Sequence, residues 1–186
     1  MSEAPVYVLV DGENVDRTLG QILEGKPRPE QRPRWDRVRQ FAEKTYGKPA
    51  RALFFLNASR GLPGTFVQAL RLAGFVPIPL VGSSDQKVVD MAILRTLEAL
   101  AKRPGDVLLV SHDNDFRDAF AACAASGRRL GVLGFTEYLS GDYFELKAAG
   151  SAELFDLEDD AEAFEGGPLP RVRAIPIERF DPLRFL

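Results

Sequence analysis

The chain has 186 residues, 45% of them hydrophobic, so it can bury the core of one ordinary domain but is short for two. Lysine and arginine total 24 against 27 aspartates and glutamates, which excludes a histone-like polycation but allows local concentrations of positive charge. The single cysteine, Cys123, excludes an intramolecular disulfide, and with the single histidine, His112, it excludes the common zinc sites. Any chemistry must therefore use carboxylates, hydroxyls or lysines.

The beginning of the sequence lacks the basic segment and the long apolar run of a signal peptide. No window approaches the roughly 18 apolar residues of a membrane span. We therefore expect a soluble, cytoplasmic protein that has no membrane partner.

Short apolar runs alternate with amphipathic patterns along most of the chain. The runs are continuous, which predicts strands covered on both faces, as in a parallel sheet. In chain order, the predicted strands are Val6–Val10, Ala50–Leu56, Phe75–Leu80, Val107–Val110 and the weaker Arg129–Phe135, with Leu154–Leu157 as a candidate edge strand. The predicted helices are one that starts near Asn14, then Arg34–Tyr46, Gly64–Ala73, Gln86–Ala101 and Asp113–Ser126. This order predicts a three-layer α/β domain with a central, mainly parallel sheet.

Two segments have an unusual charge balance. Residues 26–51 contain nine lysines and arginines against three acids, whereas residues 151–165 contain seven acids and no base. We place the domain at residues 1–165 and a tail rich in proline and arginine at residues 166–186. The tail contains Phe180 and Phe185, which could bury against a second copy of the chain.

Acidic side chains directly follow two of the predicted strands. Asp11 begins the sequence Asp-Gly-Glu-Asn after the first strand, and Asp113 and Asp115 follow the fourth in Ser-His-Asp-Asn-Asp-Phe. Ligands of open parallel sheets bind outside the carboxyl ends of the strands, so neighbouring strands would aim these acids at one place. A structural interpretation is also open, because Asp11 and Asp113 could cap helices and Asp115 could complement a helix dipole.

A further acid, Asp90, lies on the apolar stripe of the predicted helix Gln86–Ala101. A buried carboxylate is costly unless it is paired or bound to a metal ion. A salt bridge to Lys87 would satisfy it; the functional interpretation is that Asp90 points into the same cleft as the other three acids. Several carboxylates in one cleft repel one another and need a divalent cation or raised pKa values. Oxygen ligands alone favour Mg²⁺ or Mn²⁺, and such a site suits phosphoryl chemistry.

Three motifs together resemble the NYN domain, the LabA-like branch of the PIN-like nuclease superfamily. They are Asp-Gly-Glu-Asn at Asp11–Asn14, Lys-x-Val-Asp at Lys87–Asp90, and Ser-x-Asp-x-Asp-Phe at Ser111–Phe116. The resemblance covers roughly residues 5–157. It implies a PIN-like α/β/α fold and hydrolysis of RNA phosphodiester bonds by an activated water at an acidic Mg²⁺ or Mn²⁺ site.

The resemblance also implies a role for each matched side chain. The catalytic and metal-binding acids would be Asp11, Asp90, Asp113 and Asp115. Asn14 would orient a ligand or a phosphate, and Lys87 would hold phosphate or tune Asp90. Ser111 belongs to the pattern, and its hydroxyl could support a carboxylate or cap the following helix.

The sequence departs from the family pattern at two places. Many members carry a further acid about two turns along the helix of Lys87, where this chain has Leu-Arg-Thr-Leu at residues 94–97. The resemblance therefore does not carry a second metal ion over to this chain. His112 stands where small residues are common, and it could either donate a proton at the scissile phosphate or hydrogen-bond to the backbone.

The basic segment would supply the positive charge that an acidic cleft needs nearby to attract a polyanion. Arg34 and Arg37 are its substrate-binding candidates, and Trp35 and Tyr46 could stack on unpaired bases unless they belong to the core. We predict a metal-dependent ribonuclease with RNA as its partner. A non-catalytic RNA-binding or regulatory module of the same fold, and a Toprim-like or flap-nuclease-like DNA enzyme, stay open as alternatives.

Overall fold

One sheet of six parallel strands organises the chain, whose computed structural model describes residues 3–186. The strands are β1 (Val6–Asp11), β2 (Ala50–Asn57), β3 (Phe75–Leu80), β4 (Asp106–Val110), β5 (Leu130–Gly134) and β6 (Glu153–Asp156). The helices are α1 (Gly12–Leu23), α2 (Trp35–Tyr46), α3 (Gly64–Leu72), α4 (Val88–Leu100), α5 (Arg117–Ala121) and α6 (Gly141–Ala148). The predicted α/β fold is confirmed, and the sheet is wholly rather than mainly parallel.

The strand order places one crevice at the centre of the sheet. The order is β3-β2-β1-β4-β5-β6, so the direction of winding reverses between β1 and β4. Ligands of open α/β sheets bind at such a switch point, outside the carboxyl ends of the strands. Val10 pairs with Val110 in the ladder between β1 and β4, so the chain leaves both strands side by side at Asp11 and Ser111.

The alternation of side chains along β1 builds two cores, one on each face of the sheet. Val8 and Val10 are buried with the apolar faces of α1, α2 and α3. Leu9 is buried on the other face with α4, α5 and α6. The predicted three layers are therefore present, and helices cover both faces of the sheet.

Helix boundaries differ most from the prediction near the crevice. Helix α4 begins at Val88 rather than Gln86, with Lys87 at its N-cap. The predicted helix Asp113–Ser126 is a 3₁₀ turn, capped by the Asp113 side chain, followed by the five-residue α5. Helix α6 was not predicted, since it is only eight residues long and its apolar residues form no extended periodic stripe.

The beginning of the predicted tail packs on the domain. Arg171 pairs with the buried Glu158 at 2.6 Å, and Arg173 pairs with Asp159 at 3.0 Å. Arginines of the tail thus neutralise part of the acidic segment after β6. The last ten residues, by contrast, expose large apolar side chains such as Phe180. The boundary at residue 165 stays a prediction. Within residues 3–186, no helix is long and apolar enough to cross a membrane.

Candidate metal centre

Three of the four predicted acids come together at the crevice. Asp11 ends β1, Asp90 lies in the first turn of α4, and Asp113 follows β4. One carboxylate oxygen from each lies within 4.8 Å of the others. Asp11 is buried, and Asp90 and Asp113 are half-buried. Three anionic oxygens from three separate elements form a donor set that fits a hard divalent cation such as Mg²⁺ or Mn²⁺.

Ser111 links two of these acids. Its hydroxyl donates to Asp11 Oδ2 at 3.0 Å and accepts the Asp113 N–H at 3.1 Å. Asp11 Oδ1 also accepts the Asn14 N–H at 3.4 Å. Of the two roles considered for Ser111, the structure shows the supporting one. The cap is Asp113, whose Oδ1 accepts the Asp115 N–H at 2.9 Å.

Burial makes this cluster electrostatically costly when it holds no cation. Removal from water raises the pKa of Asp11 to about 6, against the hydrogen bonds from Ser111 and Asn14, and the charges of Asp90 and Asp113 raise it further. Burial also raises the pKa of Asp90, followed by the charge of Asp113 and opposed by Lys87. A divalent cation would offset this repulsion, so protons and cations compete for the same oxygens.

Asp115 and Lys87 lie at the rim of the cluster. The Asp115 side chain is 67% exposed, and it is not among the three acids that converge. Lys87 Nζ lies 3.7 Å from Asp90 Oδ2 and 4.0 Å from Asp115 Oδ2. Asp90 therefore has both features considered for it, an ion pair with Lys87 and a place in the cleft.

His112 is buried, and both of its ring nitrogens are in use. Nε2 accepts the Phe135 N–H at 2.7 Å, so Nδ1 carries the proton and donates to Asn14 Oδ1 at 2.8 Å. Asn14 Oδ1 accepts the His112 N–H as well, at 2.8 Å. Burial lowers the pKa of His112 to about 4, although the charge of Asp156 opposes this. A neutral imidazole in this position fixes Asn14, and the geometry favours that backbone-bound role over proton donation.

The predicted RNA-binding arginines lie apart from the acids. Arg34 and Arg37 both pair with Glu165 of the acidic segment, and neither lines the cleft. Arg34 borders a larger, mainly apolar groove of about 730 Å³ beside α3. Their role in binding RNA stays a prediction. The prediction that bases stack on Trp35 and Tyr46 is wrong, because both side chains are buried in the core.

The cleft around the acids has a volume of about 220 Å³. Besides the predicted residues, its lining includes Arg17 on α1 and Asn57 at the end of β2, which the sequence analysis missed. Arg17 lies one turn after Asn14 on the same helix, and Asn57 ends the strand next to β1. The helical spacing from Asn14 could have predicted Arg17 from the sequence. Asn57 could be predicted only once the strand order was known.

Comparison with known proteins identifies the family and the fold of most of this chain. The family model of the NYN domain matches residues 5–151. A crystal structure of a protein of unknown function from Vibrio parahaemolyticus superposes with a TM-score of 0.63 at 21% identity, covering 85% of this chain and 95% of that one. That likeness shows the fold. No curated protein sequence matches. Because the family model spans most of the sequence, the chain belongs to the NYN domain family.

Proposed function

We propose that this protein is a metal-dependent ribonuclease that hydrolyses RNA phosphodiester bonds at the cluster of Asp11, Asp90 and Asp113. The observation that carries the proposal is the convergence of three carboxylates, within 4.8 Å, at the switch point of the sheet. Membership in the NYN family, which belongs to the PIN-like nucleases, supports nucleic acid as the substrate.

The three acids would hold Mg²⁺ or Mn²⁺, the ions that all-oxygen sites prefer. When bound, such an ion makes water more acidic and neutralises charge on a phosphate. With a pKa of about 6, Asp11 is ionised at pH 7 to 8 and is then available as a ligand. Its hydrogen bond from Ser111 fixes one oxygen, and the other faces the weaker Asn14 contact.

The neighbouring polar groups would orient the substrate. Asn14 Oδ1 is fully used by His112, so the amide N–H groups of Asn14 are the ones left to donate to a phosphate oxygen. Lys87 is 74% exposed beside Asp90 and provides a positive charge at the rim of the cluster. Asp115 lies 4.0 Å from that lysine at the same rim.

Residues 94–97 of α4, Leu-Arg-Thr-Leu, contain no acid, which favours one cation over two. Thr96 lies two turns beyond the start of the helix, where many NYN domains have an acid, and its hydroxyl donates to the Ala92 carbonyl at 2.7 Å. Its hydroxyl is thus engaged by the backbone of its own helix, and the residue offers no carboxylate to a second ion.

Cleavage of labelled RNA and sequence-matched DNA, with Mn²⁺, Mg²⁺ or EDTA, tests the proposal. Wild type is compared with Asp113→Asn and with Asp118→Asn, which alters an exposed acid that pairs with Arg117. We expect cation-dependent cleavage of RNA, a loss of more than about 100-fold in Asp113→Asn, and no loss in Asp118→Asn.

Three other outcomes would contradict the proposal in different ways. Equal cleavage by wild type and Asp113→Asn would indicate a contaminating nuclease. Cleavage of DNA but not RNA would point to a DNA enzyme. RNA binding without cleavage under any condition would identify a non-catalytic module of the same fold.

A further inference from the structure

Arg17 is a positive charge at the cleft that forms no ion pair with the acids of residues 3–186. It lies exposed on α1 and lines the cleft together with the three acids. Its charge is close enough to Asp90 to lower that acid's pKa. Within residues 3–186, however, no carboxylate oxygen comes within 4.0 Å of its guanidinium. The side chain therefore keeps its donors available for a ligand.

The lack of a partner is informative because one is available on the same helix. Glu13 precedes Arg17 by four residues, the spacing at which helical ion pairs form. The pair does not form, although Arg39 and Glu43 make such a pair at 2.7 Å on α2. By contrast, Lys87 is engaged by Asp90 and by Asp115 at the opposite wall.

A second polar group of the cleft adds to this surface. Asn57 ends β2, the strand beside β1, and lines the same cleft as Arg17. Its Oδ1 accepts the Ser59 N–H at 3.0 Å, which leaves its amide N–H groups as donors. Arg17 and Asn57 thus bring a guanidinium and amide donors to a cleft whose lining also includes the three acids and Glu13. Donors without acceptors suit a phosphate oxygen, and a guanidinium can bind one through two hydrogen bonds.

We propose that Arg17, assisted by Asn57, binds a backbone phosphate of the nucleic-acid strand and holds that strand next to the three acids. This inference rests on the proposed function for the identity of the strand as RNA. Arg17 and the three acids line the same cleft of about 220 Å³, so we expect one phosphodiester group to reach both. Arg17 recognises phosphate rather than sugar or base, so it contributes equally to binding of RNA and DNA.

Binding is measured in the Asp113→Asn background with Mg²⁺, so that cleavage is not needed for the readout. Fluorescence anisotropy with a labelled single-stranded RNA and its DNA counterpart compares Arg17→Ala with Arg95→Ala. Arg95 is an exposed arginine of α4 that does not line the cleft. We expect Arg17→Ala to weaken binding of both strands about five- to ten-fold, and to reduce the slope of log K against log salt by about 0.7.

Two further readouts separate binding from folding. Arg17→Lys keeps the charge without the planar fork and should recover part of the affinity. Mn²⁺ affinity in Arg17→Ala, with Asp113 intact, should not fall, because the acids are unchanged and a nearby positive charge is removed. A loss of metal affinity or of thermal stability as large as the loss of RNA affinity would show a structural role and overturn the inference.

The outcomes distinguish this inference from the proposed function. Equal effects of Arg17→Ala and Arg95→Ala, or no effect of either, would overturn the role of Arg17 even if wild type cleaves RNA. No RNA binding by Asp113→Asn at low salt would overturn it as well. A protein that binds RNA through Arg17 but never cleaves it would fail the proposed function alone.

Discussion

Asp11→Asn should stabilise the metal-free protein at neutral pH while it removes the response to divalent cations. Asp11 is only 2% exposed and has two acidic neighbours, so its ionised form is unfavourable in the folded state. Asparagine keeps the shape and an acceptor for the Ser111 hydroxyl but carries no charge. A residue that costs stability in this way is typical of a ligand-binding site.

The magnitude follows from the pKa of Asp11, which rises from 3.8 to about 6 on folding. Each pKa unit corresponds to about 1.4 kcal/mol, so ionisation costs the folded protein about 3 kcal/mol. The folded state binds this proton more tightly than the unfolded chain. Its stabilising contribution is therefore complete below pH 3.8 and is lost as the pH rises through 6. Loss of the weak Asn14 contact costs the variant about 1 kcal/mol, which leaves a net gain of about 2 kcal/mol at pH 8.

Urea unfolding in EDTA between pH 4.5 and 8 measures this difference. The free energy of unfolding of Asp11→Asn, relative to wild type, should rise by about 2–3 kcal/mol across the range and level off above pH 7. Adding Mn²⁺ at 100 times its Kd should then stabilise wild type by about 2.7 kcal/mol and leave the variant unchanged. Asp118→Asn, on the exposed side of α5, serves as the control and should match wild type throughout. A difference that does not change with pH, or equal stabilisation of both proteins by Mn²⁺, would refute the reasoning.

Three further predictions concern the surroundings of the site and the tail. Ser111→Ala removes the hydroxyl that lowers the pKa of Asp11, so calorimetry should show Mn²⁺ affinity reduced about ten-fold at pH 6 and less at pH 8. Equal losses of affinity at the two pH values would contradict this. His112→Ala leaves the Phe135 N–H unpaired and should lower the free energy of unfolding by about 2–4 kcal/mol without changing how the cleavage rate depends on pH. A changed pH dependence of the cleavage rate would instead reveal an acid–base role for His112. If the exposed tail buries against a second copy, Phe180→Glu should convert an oligomer to a monomer in sedimentation velocity, and a monomeric wild type would rule this out.

Local patterns were sufficient to predict the sheet and the acids. Each apolar run marked a strand, and Asp11 and Asp113 stand directly at strand ends, where the sequence position alone specifies their place in a parallel sheet. Asp90 could be predicted because helical periodicity placed it with Ile93 and Leu97, which are buried. Helix length was harder, since α5 ends at Ala121 without a glycine or proline directly after it.

Contacts between distant segments could not be predicted from the sequence. The support of Asp11 by Ser111 requires β1 and β4 to be neighbours, which only the strand order shows. The basic segment looked like an RNA-binding surface, but Arg34 and Arg37 meet Glu165 of the acidic segment. Composition revealed both charged segments without revealing that they partly neutralise each other. Arg17 was not predicted either, because only the structure shows that it lines the cleft and forms no ion pair within residues 3–186.

Diffraction from crystals soaked in Mn²⁺ would locate the cation independently of activity. We predict one anomalous peak about 2.1 Å from a carboxylate oxygen of each of Asp11, Asp90 and Asp113, and none in crystals of Asp113→Asn. A cleft without a peak at saturating Mn²⁺, or a peak only among the acids of residues 151–165, would contradict the assignment of these three carboxylates as a metal site.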